Sequence, residues 1–266
     1  MTDIWPGMGQ AARGRSLYDE DVNGQSPMKN LRRIGISLAI FSIACVWAQD
    51  EGHPPYMKMR HHDPDGIGVA YMGREIAQVM GHEAADWLDR PERETEEAPS
   101  ILVKSLKLKP GMVVADIGAG SGYLSFMMSK YVGTTGRIYA EDIQPEMLDI
   151  VKKKGKEYGI KTVLPWLGTT TDPKLPADSV DLMIMVDVYH EFDKPYEMVS
   201  HMVPALKKGG RLVFVEYRKE DPEVPIKEVH KMAVNQVKKE MSVFPLNYVE
   251  TNEVLPRQHI IIFARR

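Results

Sequence analysis

From about residue 100 onward, short apolar runs alternate with segments whose apolar positions recur at helical spacing. A helix is predicted through Ile101, Leu102, Val103 and Leu106, stopping before Pro110-Gly111. Met112 to Asp116 is an apolar run ending in an acid, followed by glycines and a helix through Tyr123 to Met128. Arg137 to Asp142 reads as a second strand. Pro145 to Lys156 reads as a helix with Met147, Leu148, Ile150 and Val151 on its apolar face. A third strand is expected near Thr162 to Trp166. Val180 to Val188 is nearly continuously apolar, as a strand covered on both faces would be. A helix from Pro195 to Leu206, closed by Lys207 to Gly210, precedes a fifth strand, Arg211 to Tyr217. A helix from Ile226 to Met241 and strands near Tyr248 to Val254 and His259 to Ala264 complete the pattern. Strands alternating with helices predict an α/β, doubly wound, mostly parallel sheet that binds ligands at the carboxyl ends of its strands.

The N-terminal part follows other rules. Residues 1–27 are polar and Gly-rich without a period, and are expected to be a non-native or disordered leader ahead of a true start at Met28. Residues 28–48 run from a basic start (Lys29, Arg32, Arg33) through an apolar stretch to Val46 and Ala48, the pattern of a signal peptide. The apolar run is shorter than the roughly 20 residues that span a bilayer. If the signal works, the chain is exported and meets the membrane only there; otherwise it is cytoplasmic. Residues 49–90 form an N-terminal arm and 91–266 the main domain. In the arm, His53, His61, His62, Asp63 and Asp65 are broken into turns by Pro54, Pro55, Pro64 and Gly66 and match no metal-site spacing, so no metal is expected. Tyr71 to Ala77 reads as a helical extension; its segment, with Arg74 and His82, is expected to pack on the domain, a lid over the site being the alternative.

Composition narrows the classes. With a formal net charge of -3 and no long block of like charge, the chain offers no nucleic-acid footprint. Its one cysteine, Cys45, excludes intramolecular disulfides and cysteine metal clusters.

The sharpest motif is the glycine loop in Asp116-Ile117-Gly118-Ala119-Gly120-Ser121-Gly122. A dinucleotide fingerprint needs G-x-G-x-x-G with a pyrophosphate on the helix N-terminus. Here the spacing is G-x-G-x-G, with an acid two residues before the first glycine. That acid would repel a pyrophosphate but suits the cationic amino group of a methionine moiety, which favours S-adenosylmethionine over NAD. Where the second strand ends, Glu141 and Asp142 point to opposite faces. Asp142 is the favoured acceptor for ribose hydroxyls, with Ile143 packing on adenine.

With Asp142-Ile143, Val180-Asp181-Leu182 and Leu206 to Leu212 in order after the loop, residues 110–217 resemble the class I S-adenosylmethionine-dependent methyltransferase family. The resemblance implies a Rossmann-like, seven-stranded sheet with its last strand antiparallel. It also implies Gly118, Gly120 and Gly122, with Ala119 between them, around the methionine portion, Asp142 on ribose, and Thr169 and Thr170 near adenine. That family often has an acid where the threonines stand.

After the fourth strand comes Asp187-Val188-Tyr189-His190-Glu191. Asp187 is a further candidate for the cofactor, and His190 a candidate base, with Tyr189 or Glu191 shaping the pocket; His190 capping the next helix or satisfying a backbone carbonyl is the alternative. Glu216, ending the fifth strand, is a second-tier catalytic candidate, and His230 and His259 are expected to be structural. Gly120 to Leu124 is also similar to protein isoaspartate methyltransferases, but no Thr/Ser-rich substrate loop precedes it in residues 91–109. Arsenite methyltransferases need several cysteines. Outside the core the chain resembles small-molecule methyltransferases of the type 11 group, including exported bacterial members, which implies a small organic methyl acceptor. A cofactor-binding module without turnover is the alternative.

Overall fold

The computed structural model describes residues 56–266. The expected leader, the signal peptide and the start of the arm lie outside the described residues. The described residues fall within one compact unit.

The strands are β1 (Tyr56–Lys58), β2 (Gly66–Tyr71), β3 (Arg74–Ala77), β4 (Val113–Ile117), β5 (Arg137–Asp142), β6 (Val163–Leu167), β7 (Val180–Val186), β8 (Leu206–Tyr217), β9 (Leu246–Asn252) and β10 (Gln258–Arg265). The helices are α1 (Ala85–Leu88), α2 (Arg93–Glu97), α3 (Pro99–Ser105), α4 (Tyr123–Val132), α5 (Pro145–Glu157), α6 (Pro195–Ala205) and α7 (Val234–Met241). The main sheet has the order β6-β5-β4-β7-β8-β10-β9. Strands β4 to β8 pair in parallel, and the last strand, β10, runs antiparallel to both its neighbours.

Alternate residues of each central strand feed two cores, one on each face. In β7, Leu182 and Ile184 join Val114, Ile138 and Val213 on the face covered by α3, α4 and α5. Met183 and Met185 join Ala115, Phe214 and Ile261 beneath α6 and α7. Burial on both faces explains why β7 reads as an unbroken apolar run. The loops that leave the neighbouring strands β4 and β7 lead to helices on opposite faces, which opens a crevice at their carboxyl ends.

The structure departs from the sequence reading at three places. Tyr71 to Ala77 is not helical. It is the tip of a hairpin in the three-stranded antiparallel sheet β1-β2-β3. Met72 and Gly73 both have positive φ (48° and 92°), the requirement of a tight two-residue turn. The helix expected from Ile226 begins only at Val234: Glu228–His230 forms a short 3-10 turn, Lys231 is extended, and the amide of Met232 bonds the carbonyl of Tyr217 instead of continuing a helix. Strand β8 starts at Leu206, the expected helix end, and takes in Lys207 to Gly210, where a closing turn was expected; a register shift against β7 absorbs the extra residues.

Candidate functional site

The glycine loop turns directly off β4 into α4. Gly118, Gly120 and Gly122 all have positive φ (68°, 55° and 77°), a conformation that L side chains rarely adopt. Space is lacking too. A Cβ on Gly118 would stand 2.6 Å from Val188, and one on Gly120 would stand 2.4 Å from Leu88. From the next strand, Asp142 accepts the Gly120 amide through Oδ2 and the Gln144 amide through Oδ1, both at 2.9 Å.

This loop walls a cavity of about 510 Å³, within the size range of small-molecule sites. Of the residues expected from sequence, Gly118, Gly120, Asp142, Ile143, Thr169, Thr170, Asp187 and His190 line it. Asp116 does not. Its carboxyl turns inward to accept the Ser125 hydroxyl at 2.6 Å, and burial raises its pKa to about 6. Ala119 and Gly122 shape the loop from behind. Tyr189 and Glu216 also sit off the cavity. The Tyr189 hydroxyl donates to Glu240 at 2.7 Å, and that carboxylate also holds buried Arg74 in a bidentate pair. Arg74 is therefore an internal strut between β3 and α7, not a lid. Glu216 accepts the Tyr189 amide through Oε1, while Oε2 stands 2.6 Å from His190 Nδ1. Its burial raises the carboxyl to about 8 and lowers the imidazole to about 3, so the pair is held net neutral.

Arg93, Glu97 and His230 also line the cavity and were not placed in the site from sequence, beside the acids Glu141, Asp187 and Glu191 that were weighed there. Glu141 and Asp187 each have a buried carboxylate oxygen, Oε1 and Oδ1, without a hydrogen-bond partner among the described residues. Burial, and for each a neighbouring acid, pushes both well above the usual carboxylate range. Asp187 adopts a φ of 53°, which turns the chain out of β7, and its Oδ2 accepts Gln258 at 3.0 Å. Arg93 and Glu97 pair across one helical turn at 2.8 Å, and Glu97 also accepts from Tyr217 at 2.9 Å. In the sequence that pair is indistinguishable from a solvated i,i+4 bridge. Glu191 is raised to about 8 and His230 is lowered to about 4, both first by burial. His230, expected to be structural, lines the cavity beside His190, with 3.2 Å between their nearest ring nitrogens. His259 lies apart, held between Glu253 and Glu220.

The arm crosses the cavity. Gln78, Val79, Met80, Trp87 and Leu88 all line it. Gln144 pins this segment by donating to the Met80 carbonyl at 3.0 Å and accepting the His82 amide at 2.9 Å. Behind it, Asp89 accepts Ser121 of the glycine loop at 2.9 Å. The His61 to Asp65 stretch forms a turn in which Asp65 pairs with Lys227 at 2.8 Å.

A glycine loop at the carboxyl end of the first parallel strand, an acid closing the second and an antiparallel final strand together define a Rossmann-like nucleotide-cofactor fold. Residues 115–214 match the family model described as a methyltransferase domain. Among curated relatives, the ubiquinone/menaquinone biosynthesis C-methyltransferase UbiE of Shewanella pealeana is 26% identical over 123 residues, covering 46% of this chain and 49% of that protein. The protein-L-isoaspartate O-methyltransferase of Pyrococcus horikoshii is 30% identical over 126 residues, covering 46% and 54%. The chain thus spans about half the length of these relatives. In fold it is similar to a SAM-dependent methyltransferase from Aquifex aeolicus, with a TM-score of 0.67 and 24% identity, covering 71% of this chain and all of that one. Residues 115–214 thus match a methyltransferase domain in sequence, on a fold shared with that solved methyltransferase.

Proposed function

We propose that this chain is an enzyme that transfers a methyl group from S-adenosylmethionine to a small organic acceptor. The observation that carries the reading is the pair of buried, unpartnered carboxylate oxygens, Glu141 Oε1 and Asp187 Oδ1, in the cavity walled by the glycine loop. Burying polar oxygens without partners is unfavourable, and a cationic ligand relieves it. S-adenosylmethionine carries a sulfonium and an ammonium group, whereas a dinucleotide would bring a pyrophosphate against the same acids.

In this reading Gly118 and Gly120 let the backbone approach the methionine end and Asp187 holds its ammonium group. Asp142 holds the ribose hydroxyls, Ile143 packs on adenine, and Thr169 and Thr170 lie near the base. Ala119, Gly122 and Asp116 keep the loop in shape without touching the ligand. The bound cofactor supplies an already activated methyl group, so the protein's task is to align the acceptor with it. His190, oriented by Glu216, and His230 are the polar groups offered to the acceptor; Tyr189 supports His190 from behind. The acceptor is small because the arm, from Gln78 to Leu88, walls in the cavity. The likeness to isoaspartate methyltransferases extends over 46% of this chain, and no Thr/Ser-rich substrate segment precedes the loop.

Calorimetric titration of the full chain with S-adenosylmethionine, S-adenosylhomocysteine and NAD tests the cofactor. Transfer of a labelled methyl group to a panel of small hydroxyl, amine and carbon acids tests turnover. Saturable binding of the first two ligands but not NAD is expected. Folded protein that binds neither sulfur compound would remove the reading. Binding without transfer to any panel member would favour a module without turnover.

A further inference from the structure

His190 and Glu191 are neighbours in a single 3-10 turn, Tyr189–Glu191, just past β7. His230 sits 40 residues on, in a second such turn, Glu228–His230. The hydrogen bond from the Met232 amide to Tyr217 draws that turn back to the site. All three side chains are buried, and one ligand atom from each lies within 4.8 Å of the others. The nearest imidazole nitrogens, His190 Nε2 and His230 Nδ1, are 3.2 Å apart. Two nitrogens that share a tetrahedral zinc at about 2.0–2.1 Å stand about 3.3 Å apart.

The surroundings match as well. Glu191 Oε1 lies 4.0 Å from His190 Nε2, a gap that a small side-chain rotation closes, while Oε2 is held by the Met80 amide at 3.3 Å. On its far side His190 presents Nδ1 to Glu216 at 2.6 Å, and Glu216 is itself fixed by the Tyr189 amide. A carboxylate behind a ligating histidine sets the tautomer and orients the ring toward the metal.

We propose that His190, Glu191 and His230 hold a zinc ion in the cavity wall, with its fourth position facing the cavity. Two imidazoles and one carboxylate suit zinc rather than the all-oxygen cations magnesium and calcium. Three protein ligands and one open position are the arrangement of a zinc site that acts on a substrate. An acceptor hydroxyl bound there would release its proton to water and keep the electron pair on oxygen for the methyl group. That last consequence rests on the methyl-transfer reading; the metal site does not.

The test reads metal, not turnover. Full-length protein is stripped with a chelator, then titrated with Zn²⁺ by calorimetry and with Co²⁺ by visible absorption. About one equivalent of each is expected, with the ligand-field bands of a four- or five-coordinate cobalt site. Glu191→Gln and His230→Ala should each weaken zinc binding by more than about 100-fold, and Glu216→Gln by about 10- to 100-fold. His201→Ala, a change at an exposed histidine, should leave it unaltered. Thermal unfolding checks each fold, and if His230→Ala does not fold, the nearly isosteric Glu191→Gln carries the test. Folded wild-type protein without stoichiometric binding, or binding indifferent to Glu191→Gln and to any folded His230→Ala, overturns the proposal. The contact between His190 and His230 is then a shared proton, and His190 reverts to a candidate base.

Discussion

The Oδ2 atom of Asp142 accepts the backbone amide of Gly120 at 2.9 Å, which ties the acid closing β5 to the middle of the glycine loop. One carboxylate therefore sets the loop's position and walls the cofactor cavity. Asp142→Asn should weaken S-adenosylmethionine binding by roughly 10- to 100-fold, the equivalent of about 1.5–3 kcal/mol for hydrogen bonds to a charged group. The melting temperature should also fall modestly, because one amide oxygen cannot accept from both Gly120 and Gln144 and the NH2 group then faces the other backbone donor. Calorimetry beside a thermal melt checks this, and unchanged affinity in the folded variant would remove Asp142 from the site.

Gly118 and Gly159 separate backbone strain from crowding. Both have left-handed φ, 68° and 65°, but a Cβ on Gly118 meets Val188 at 2.6 Å while one on Gly159 meets nothing within 4 Å. Gly159→Ala should lower stability by roughly 1–2 kcal/mol, the strain of that conformation alone. Gly118→Ala should lose about 1–3 kcal/mol more through overpacking. Adding Val188→Ala should return part of that extra loss, as read from urea midpoints. Equal effects of the two alanines would show that the loop yields freely.

Arg74 joins the hairpin to the main domain through Glu240, at 2.9 and 3.1 Å, and bonds the His190 carbonyl at 3.0 Å. Both charged partners are buried. Arg74→Ala leaves Glu240 uncompensated and should destabilise the fold by about 3–5 kcal/mol. Replacing both residues with methionine should cost less than the single change. A double-mutant cycle in denaturant measures the difference, and additive losses would contradict the coupling.

Legibility in the sequence followed where burial is symmetric. Arg137–Asp142 was read to the residue and Val180 to within two, because strands covered on both faces have no competing period. Tyr71 to Ala77 failed because its turn needs positive φ at Met72, a residue that signals no turn. The first half of the expected helix from Ile226 failed because tertiary bonding, such as Met232 to Tyr217, outweighs local propensity. In the site, the glycines and Asp142 announce themselves through local backbone demands. His230, Glu97 and Arg93 do not, since only the folded chain decides whether such groups meet water or one another.

Asp116 makes the pH dependence testable at one position. Its folded pKa, about 6, lies above the ordinary 3.8, chiefly through burial. Between those values the folded chain keeps a proton that the unfolded chain has released, so stability falls as pH rises through the window and levels off above it. The rise corresponds to roughly 3 kcal/mol at most, at about 1.4 kcal/mol for each pH unit. Asp116→Asn has no such proton, yet its amide oxygen still accepts from Ser125. The variant's stability relative to wild type should therefore increase by up to about 3 kcal/mol between pH 4 and pH 8, with most of the change before pH 7. The other buried acids, Glu141, Asp187, Glu191 and Glu216, titrate in both proteins and largely cancel in the comparison. Chemical denaturation of both proteins across that range measures the difference directly. A difference that stays constant with pH would mean that Asp116 ionises as freely in the fold as in water, and that its inward turn toward Ser125 does not bury the charge.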